Sequence, residues 1–257
     1  MKVEHLSASR IKTYKQCHLK YHATYDLGLK SEAHPLTVMG SAVHKASEIS
    51  TRARRLGLHP KLWNPKDLTS AVMKKYKVQG DLRILMEELL DNVSEWGYFR
   101  KIDKLVGEEI EFNELLPNGM SVKGFIDRLD WMGDGFDIKD LKTQKAAFSE
   151  PELADNWQAH IYNFAVRRMY PDVTGVVMVS FWVLRHYVQR VSLTLEDAKR
   201  TEERLVEVGN EIESIIDPQP SPSGLCPWCP YYSQCDASRE GIKARMKRKG
   251  YGRKKSS

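Results

Sequence analysis

"FDIKDLKT", residues 136–143, reads as a short β-strand in which apolar and charged positions alternate. Successive side chains of an extended chain leave on opposite sides. Phe136, Ile138, Asp140 and Lys142 therefore share one face, and Asp137, Lys139 and Leu141 share the other. Phe136 and Ile138 mark the first face as core-facing, so Asp140 and Lys142 are expected at its far end, where it opens into a cleft. Asp137 and Lys139 are expected to point to solvent or to a neighbouring strand. An acid and a lysine two residues apart arise often by chance, so the flanking segments must decide whether this pair does chemistry.

Upstream, "LVGEEIEFNELL" and "MSVKGFIDRLDWM" alternate as strands around the turn "PNG", and "MGDG" turns the chain into 136–143. If the second of these strands pairs with 136–143, Asp127 of "GFIDRLD" converges with Asp140 at one sheet edge. Two carboxylates meeting there repel unless a divalent cation joins them. Hard oxygen ligands suit Mg²⁺ or Mn²⁺. Lys142 would add a fixed positive charge near the attacking water or the phosphate oxygens, which phosphodiester hydrolysis needs. Downstream, "SEPELADNWQAHIYNFAVRRMY" reads as one helix with Pro near its start. It sets Gln158 and Tyr162 four apart on one face, either to hydrogen-bond a phosphate or a metal's water, or simply to pack. "VTGVVMVSFWVLR" is a nearly continuous apolar strand, as expected for one covered on both faces. "HYVQRVSL" extends the sheet, and "LEDAKRTEERLVEVGNEIESII" forms a last helix.

Before the sheet the period is helical. "SASRIKTYKQCHLKYHATY" reads as one helix capped by Ser7 or Ser9, and "PLTVMGSAVHKASEISTRARRLG" as a second ending at Gly57. Two more helices are expected over 65–78 and 81–99. His44 lies on the second helix, with Glu48 one turn later as its partner or as an exposed acid. The order of elements indicates an α/β core with a helical insertion before the sheet.

The chain has 257 residues and a formal net charge of +6. The last 19, from Arg239, carry nine Lys/Arg against Glu240 alone, so the remainder sums to −2. The tail reads as a basic arm, disordered or helical, suited either to nonspecific contact with nucleic acid phosphates or to solubilising the chain. No apolar run reaches membrane-spanning length and the N-terminus has no hydrophobic leader, so a soluble, cytoplasmic protein without a membrane partner is expected. No GxxxxGK[ST] loop occurs, hence no helicase motor is recognisable. Of the four cysteines, Cys226, Cys229 and Cys235 form a C-x2-C-x5-C cluster and Cys17 lies far upstream. In a cytoplasmic chain such spacing favours metal binding over disulfides.

In order along the chain, "GSAVH", "GFID", "DLKT" and "QAHIY" resemble the motifs of the RecB-like branch of the PD-(D/E)XK nuclease superfamily, Cas4-type exonucleases included. The placement of one cysteine in "SRIKTYKQCHLKY" and three near the end matches as well. Each motif is weak by itself; five in the right order are specific, and they span most of the chain. The resemblance implies a restriction-endonuclease-like α/β fold: a mixed central sheet flanked by helices, with a helical insertion and an iron–sulfur subdomain built from both terminal regions. It divides the chain into a nuclease domain over 1–238 and the basic tail over 239–257. Within the domain, 1–35 and 217–238 would form the iron–sulfur region, 38–100 the helical part and 101–216 the sheet core. It also implies that His44, Asp127, Asp140 and the Leu141 carbonyl bind Mg²⁺ or Mn²⁺. Asp127, Asp140 and Lys142 would be catalytic, with Gln158 and Tyr162 assisting with substrate. Cys17, Cys226, Cys229 and Cys235 would hold a [4Fe–4S] cluster, zinc on four thiolates being the alternative. Two residues depart from the pattern: His18 follows Cys17 where relatives commonly have Pro, and Asp140 stands where many have Glu.

The expected activity is metal-dependent DNA exonuclease action in recombination, repair, or spacer and end processing. The alternative is a noncatalytic DNA-binding module that keeps the fold and the metal cluster. The expected partners are linear DNA ends, single- or double-stranded, and a separate helicase, recombinase or CRISPR-adaptation protein. The motifs do not separate DNA from RNA.

Overall fold

Five strands form one mixed sheet in the order β1-β2-β3-β4-β5. They are β1 (Leu105–Leu115), β2 (Ser121–Trp131), β3 (Phe136–Lys142), β4 (Val177–Val183) and β5 (Val188–Leu193). The structure is a computed structural model and describes residues 1–58 and 65–237. The basic tail expected over 239–257 lies outside the described residues. The first three strands are an antiparallel meander with Ile110 opposite Ile126 and Leu129 opposite Ile138. β3 and β4 run parallel, with Ile138 beside Val179, so the chain must cross over between them. Helices α6 (Glu150–Ala154) and α7 (Trp157–Met169) make that crossing, and β5 returns antiparallel to β4.

Helices cover both faces. On one side Ile11 and Tyr14 of α1 (Ala8–Gln16), Ile161 and Phe164 of α7, and Leu205 and Val208 of α8 (Leu195–Ser214) pack on Ile126, Ile138 and Val179. On the other, Met39 and Val43 of α3 (Pro35–Arg55), Val72 and Met73 of α4 (Pro65–Tyr76), and Met86 and Leu89 of α5 (Asp81–Glu95) enclose Leu141 and Trp182. Each fully buried aliphatic or aromatic side chain contributes roughly 1.5–3 kcal/mol. Covering both faces is why β4 is apolar throughout rather than alternating.

The helical pattern was continuous in sequence at two places where the chain breaks. The helix expected over 7–25 stops at Cys17, whose extended backbone (φ −170°, ψ 119°) separates α1 from the short α2 (His18–Tyr21) and a π-helical turn at His22–Asp26. Similarly, the helix expected over 149–170 is interrupted before Asn156, whose side-chain oxygen accepts from the backbone N–H groups of Gln158 (3.0 Å) and Ala159 (3.2 Å) and so starts α7 afresh. The helix expected over 81–99 ends at Glu95 because Gly97 takes a left-handed conformation (φ +84°). That turn delivers Tyr98 and Phe99 into the α3-side core.

Asp137 and Lys139 reach neighbouring strands, not solvent. Lys139 is buried, its Nζ 2.6 Å from Asp130 Oδ2 of β2, and Asp137 accepts a 2.6 Å hydrogen bond from Ser180 of β4. Arg128, fully buried, forks onto the two Asp130 oxygens at 2.8 and 3.0 Å. Its remaining N–H groups donate to the carbonyls of Tyr98 and Arg100. These charges are satisfied inside the sheet, as burial requires.

Candidate active site

The last paired residues of β2 and β3 are Arg128 and Lys139, so Asp127 and Asp140 face one another one step beyond the ladder. There the strands part, and each acid finds its own partners. Asp127 accepts from the backbone N–H of Leu141 at 2.9 Å and pairs with His44 Nδ1 at 3.1 Å. His44 reaches it because α3 lies close to the end of β3: a Cβ at Gly40, one turn earlier, would stand 3.0 Å from Thr143 Oγ1. Burial opposes protonation of His44, yet the charge of Asp127, its hydrogen bond and the nearby Asp140 push the imidazole pKa up to about 9. Burial likewise opposes ionisation of Asp127, but His44, the Leu141 N–H and Lys142 hold its carboxyl below the usual range.

Asp140 is buried on the α7 side. Lys142 Nζ lies 2.5 Å from its Oδ2, an oxygen that has no better-aligned donor. Its Oδ1 accepts from Gln158 Nε2 (2.8 Å) and faces the Tyr162 hydroxyl at 3.0 Å. Gln158 also donates to that hydroxyl (2.6 Å) and accepts from Lys142 Nζ through Oε1 (2.8 Å). The single Tyr162 proton is thus shared between Asp140 and the Phe125 carbonyl, 2.8 Å away. Burial drives the Asp140 pKa up, with Lys142 opposing and Asp127 reinforcing the shift.

A residue that alternation does not reveal completes the cluster. Glu109 of β1 lies between Glu108 and Ile110, whose partners Arg128 and Ile126 flank Asp127, and His44, Glu109 and Asp127 bring ligand atoms within 4.8 Å of one another. Glu109 has φ +49°, a left-handed backbone rare for a side-chain-bearing residue in a strand. Around it the strand changes faces: Ile110 and Phe112 belong to the α7-side core, whereas Glu108 meets Arg52 and Arg55 of α3. The same reversal occurs across Asp127, between Ile126 in the α7-side core and Arg128 against Tyr98. Burial first, then the charges of Asp127 and Glu48, push the Glu109 pKa up to about 7. Glu48 itself pairs with Lys45 and Arg52 on α3.

The donor set of one imidazole and two carboxylates suits a divalent cation such as Mg²⁺ or Mn²⁺. Asp140 stands beside it without belonging to it. Asp127 leans to α3 through His44, and Asp140 to α7 through Lys142, Gln158 and Tyr162, with the buried Asp140 Oδ2 left without a hydrogen bond. Leu141 lines the same cleft, a depression of about 1010 Å³ that also includes Lys45, Lys145 and Arg185.

The four cysteines line one small cavity between the end of α1 and the C-terminal segment. Backbone N–H groups of Ser221 and Ser223 point at the sulfurs of Cys17 (3.4 Å) and Cys226 (3.2 Å). Among the described residues no three of these sulfurs gather within 4.8 Å. Four thiolates on a single tetrahedral zinc, with Zn–S bonds of about 2.3 Å, would lie closer than that.

Acids and a lysine at the parting ends of neighbouring strands, inside a helix-flanked mixed sheet, define a nuclease fold. The chain belongs to the PD-(D/E)XK nuclease superfamily, whose family model matches residues 5–236. The fold is shared with a solved candidate exonuclease from Eubacterium rectale: TM-score 0.52 and 13% identity over 92% of this chain and 88% of that one. A second solved protein, SSO0001, aligns over 93% of this chain and 89% of its own at TM-score 0.45 and 11% identity, too distant to carry an argument. No curated protein matches the chain. Among the described residues no helix is long and apolar enough to cross a membrane.

Proposed function

We propose that this protein is a divalent-metal-dependent deoxyribonuclease that trims linear DNA ends by phosphodiester hydrolysis. The observation that carries this reading is the convergence of His44, Glu109 and Asp127 beside the Asp140–Lys142 pair. His44, Glu109 and Asp127, with Asp140 adjacent, would hold Mg²⁺ or Mn²⁺, which when bound supplies an activated water and neutralises phosphate charge. Lys142 presents an ammonium fixed by Asp140 and Gln158, ready for a non-bridging phosphate oxygen. Tyr162 and Gln158 hold Asp140 and Lys142 in register with each other, so both charges arrive oriented. Residues 1–238 act as the nuclease domain in this reading.

A [4Fe–4S] cluster is supported by the four cysteines that line one cavity and by the backbone N–H donors aimed at the sulfurs of Cys17 and Cys226. Work on DNA ends in recombination, repair or spacer processing, with a separate helicase or recombinase, fits a nuclease that carries no motor motif.

Lys142→Ala is expected to reduce Mn²⁺-dependent release of nucleotides from labelled linear DNA by about a hundredfold or more, with DNA binding changed less than threefold. Equal loss of cleavage and binding contradicts the role given to Lys142. Wild-type activity no higher than that of Asp140→Ala, in folded protein, favours a noncatalytic binding module. Parallel assays on RNA settle the sugar preference.

A further inference from the structure

A second depression, of about 940 Å³, opens on the α7 side of the sheet and is lined by Gln158 and Tyr162. Lys142 and Gln144 line both it and the α3-side cleft, so the two hollows share a wall at the candidate catalytic lysine. Four lysines line the second hollow, Lys12 and Lys15 of α1, Lys123 of β2 and Lys142, against the acids Glu152 and Asp155. Both acids are engaged: Glu152 by the Ser149 cap and Asp155 by Arg204. Lys15 Nζ and Arg204 Cζ sit 4.8 and 4.4 Å from the centre of the Trp157 ring, which holds two cations at this rim. This local excess of positive charge belongs to a body that, without its tail, is net negative.

In the same hollow Phe125 of β2 is 54% exposed. Its carbonyl receives the Tyr162 hydroxyl, and it lies two residues from Asp127, so its backbone is held close to the candidate active site. An exposed ring face beside a lysine track suits an unpaired base with its phosphates. A duplex keeps its bases stacked on one another and has no use for Phe125.

Resting on the nuclease reading above, we propose that the α7-side hollow is the guide for a single nucleic acid strand. One base stacks on Phe125, the phosphates follow Lys12, Lys15 and Lys123, and the strand passes over Lys142 towards the α3-side cleft. The substrate class at the chemical step is therefore single-stranded, whatever the state of the DNA end that supplies it.

The test measures binding of the full-length protein to a fluorescein-labelled single-stranded oligonucleotide and to the matched duplex, in EDTA so that cleavage plays no part. Phe125→Ala is expected to weaken single-strand binding about tenfold, while Phe125→Trp restores it and duplex binding changes less than twofold. Lys12→Ala/Lys15→Ala is expected to lower the single-strand salt slope by roughly 1.4. Both variants sit on the surface, and circular dichroism checks their folding. Unchanged single-strand affinity and slope overturn the guide, as does an equal loss on duplex. The two readings fail separately: intact wild-type cleavage that Lys142→Ala abolishes, together with unaltered binding in the guide variants, removes the guide and leaves the nuclease. A wild type without cleavage but with the predicted binding losses does the reverse.

Discussion

Glu109 and His44 are the residues on which metal loading should turn. With no cation bound, His44, its pKa up to about 9, stays protonated through neutrality, and Glu109, up to about 7, is about half protonated there. A metal takes the deprotonated forms, so Mn²⁺ affinity should rise steadily from pH 6 to pH 9, with protons released on binding. Titration calorimetry in buffers of different ionisation enthalpy reads both; an affinity independent of pH would contradict the assignment. Metal-free stability should move the other way. The raised His44 pKa contributes stability that is complete below about pH 6.5 and lost as pH approaches 9. The raised Glu109 pKa adds a penalty that grows from about pH 4.5 to pH 7. The metal-free melting temperature should therefore fall between pH 5 and 9, and Glu109→Gln should flatten the acidic half of that fall. Glu109→Gln should also weaken Mn²⁺ binding on the order of tenfold or more. Asp127, Asp140 and Lys142 were legible from alternation and pairing. Glu109 was not, because alternation assigns faces only while a strand stays regular, and this residue marks the point where its strand reverses.

Among the elements, α7 depends for its start on the residue that caps it. Asn156 ends the α6 turn and fixes the start of the helix that carries Gln158 and Tyr162 four residues apart. Asn156→Ala removes two N-cap hydrogen bonds and should cost about 1 kcal/mol in stability. Because Gln158 is the second residue of α7, cleavage should fall several-fold beyond what the lost stability accounts for. Thermal melts alongside steady-state cleavage check this, and a stability loss with unchanged kcat would show that the cap does not position the site. From sequence, 149–170 read as one helix, since a side-chain cap in mid-segment leaves the 3.6-residue apolar period undisturbed. The strands were more legible: β3, β4 and their apolar runs fall where the pattern set them, because a sheet covered on both faces leaves a continuous apolar mark.

At the scale of the whole molecule the break after α1, at Cys17, meets the segment that carries Cys226, Cys229 and Cys235. Joining residue 17 to residue 226 closes a loop of about two hundred residues, worth roughly 5 kcal/mol in the chain-entropy picture. Anaerobically purified protein should therefore be brown and hold about four irons per chain. Cys17→Ala should lose most of the iron and lower the melting temperature by several degrees. Stoichiometric zinc without iron would replace the cluster by a structural ion.

Sequence alone determined the local chemistry: which strand carries an acid and a lysine on one side, which helix presents Gln158 and Tyr162, and the order that marks a PD-(D/E)XK nuclease. These follow from periodicities of two and 3.6 residues, which are properties of a single segment. Tertiary structure decided how the acids were divided. Asp127 went to His44 and Glu109, and Asp140 to Lys142, because the strands part beyond Arg128 and Lys139 and open the two sides to different helices. It also created the α7-side hollow, whose lysines and exposed Phe125 come from α1 and β2, segments more than a hundred residues apart. No periodicity within one segment encodes the distance between two.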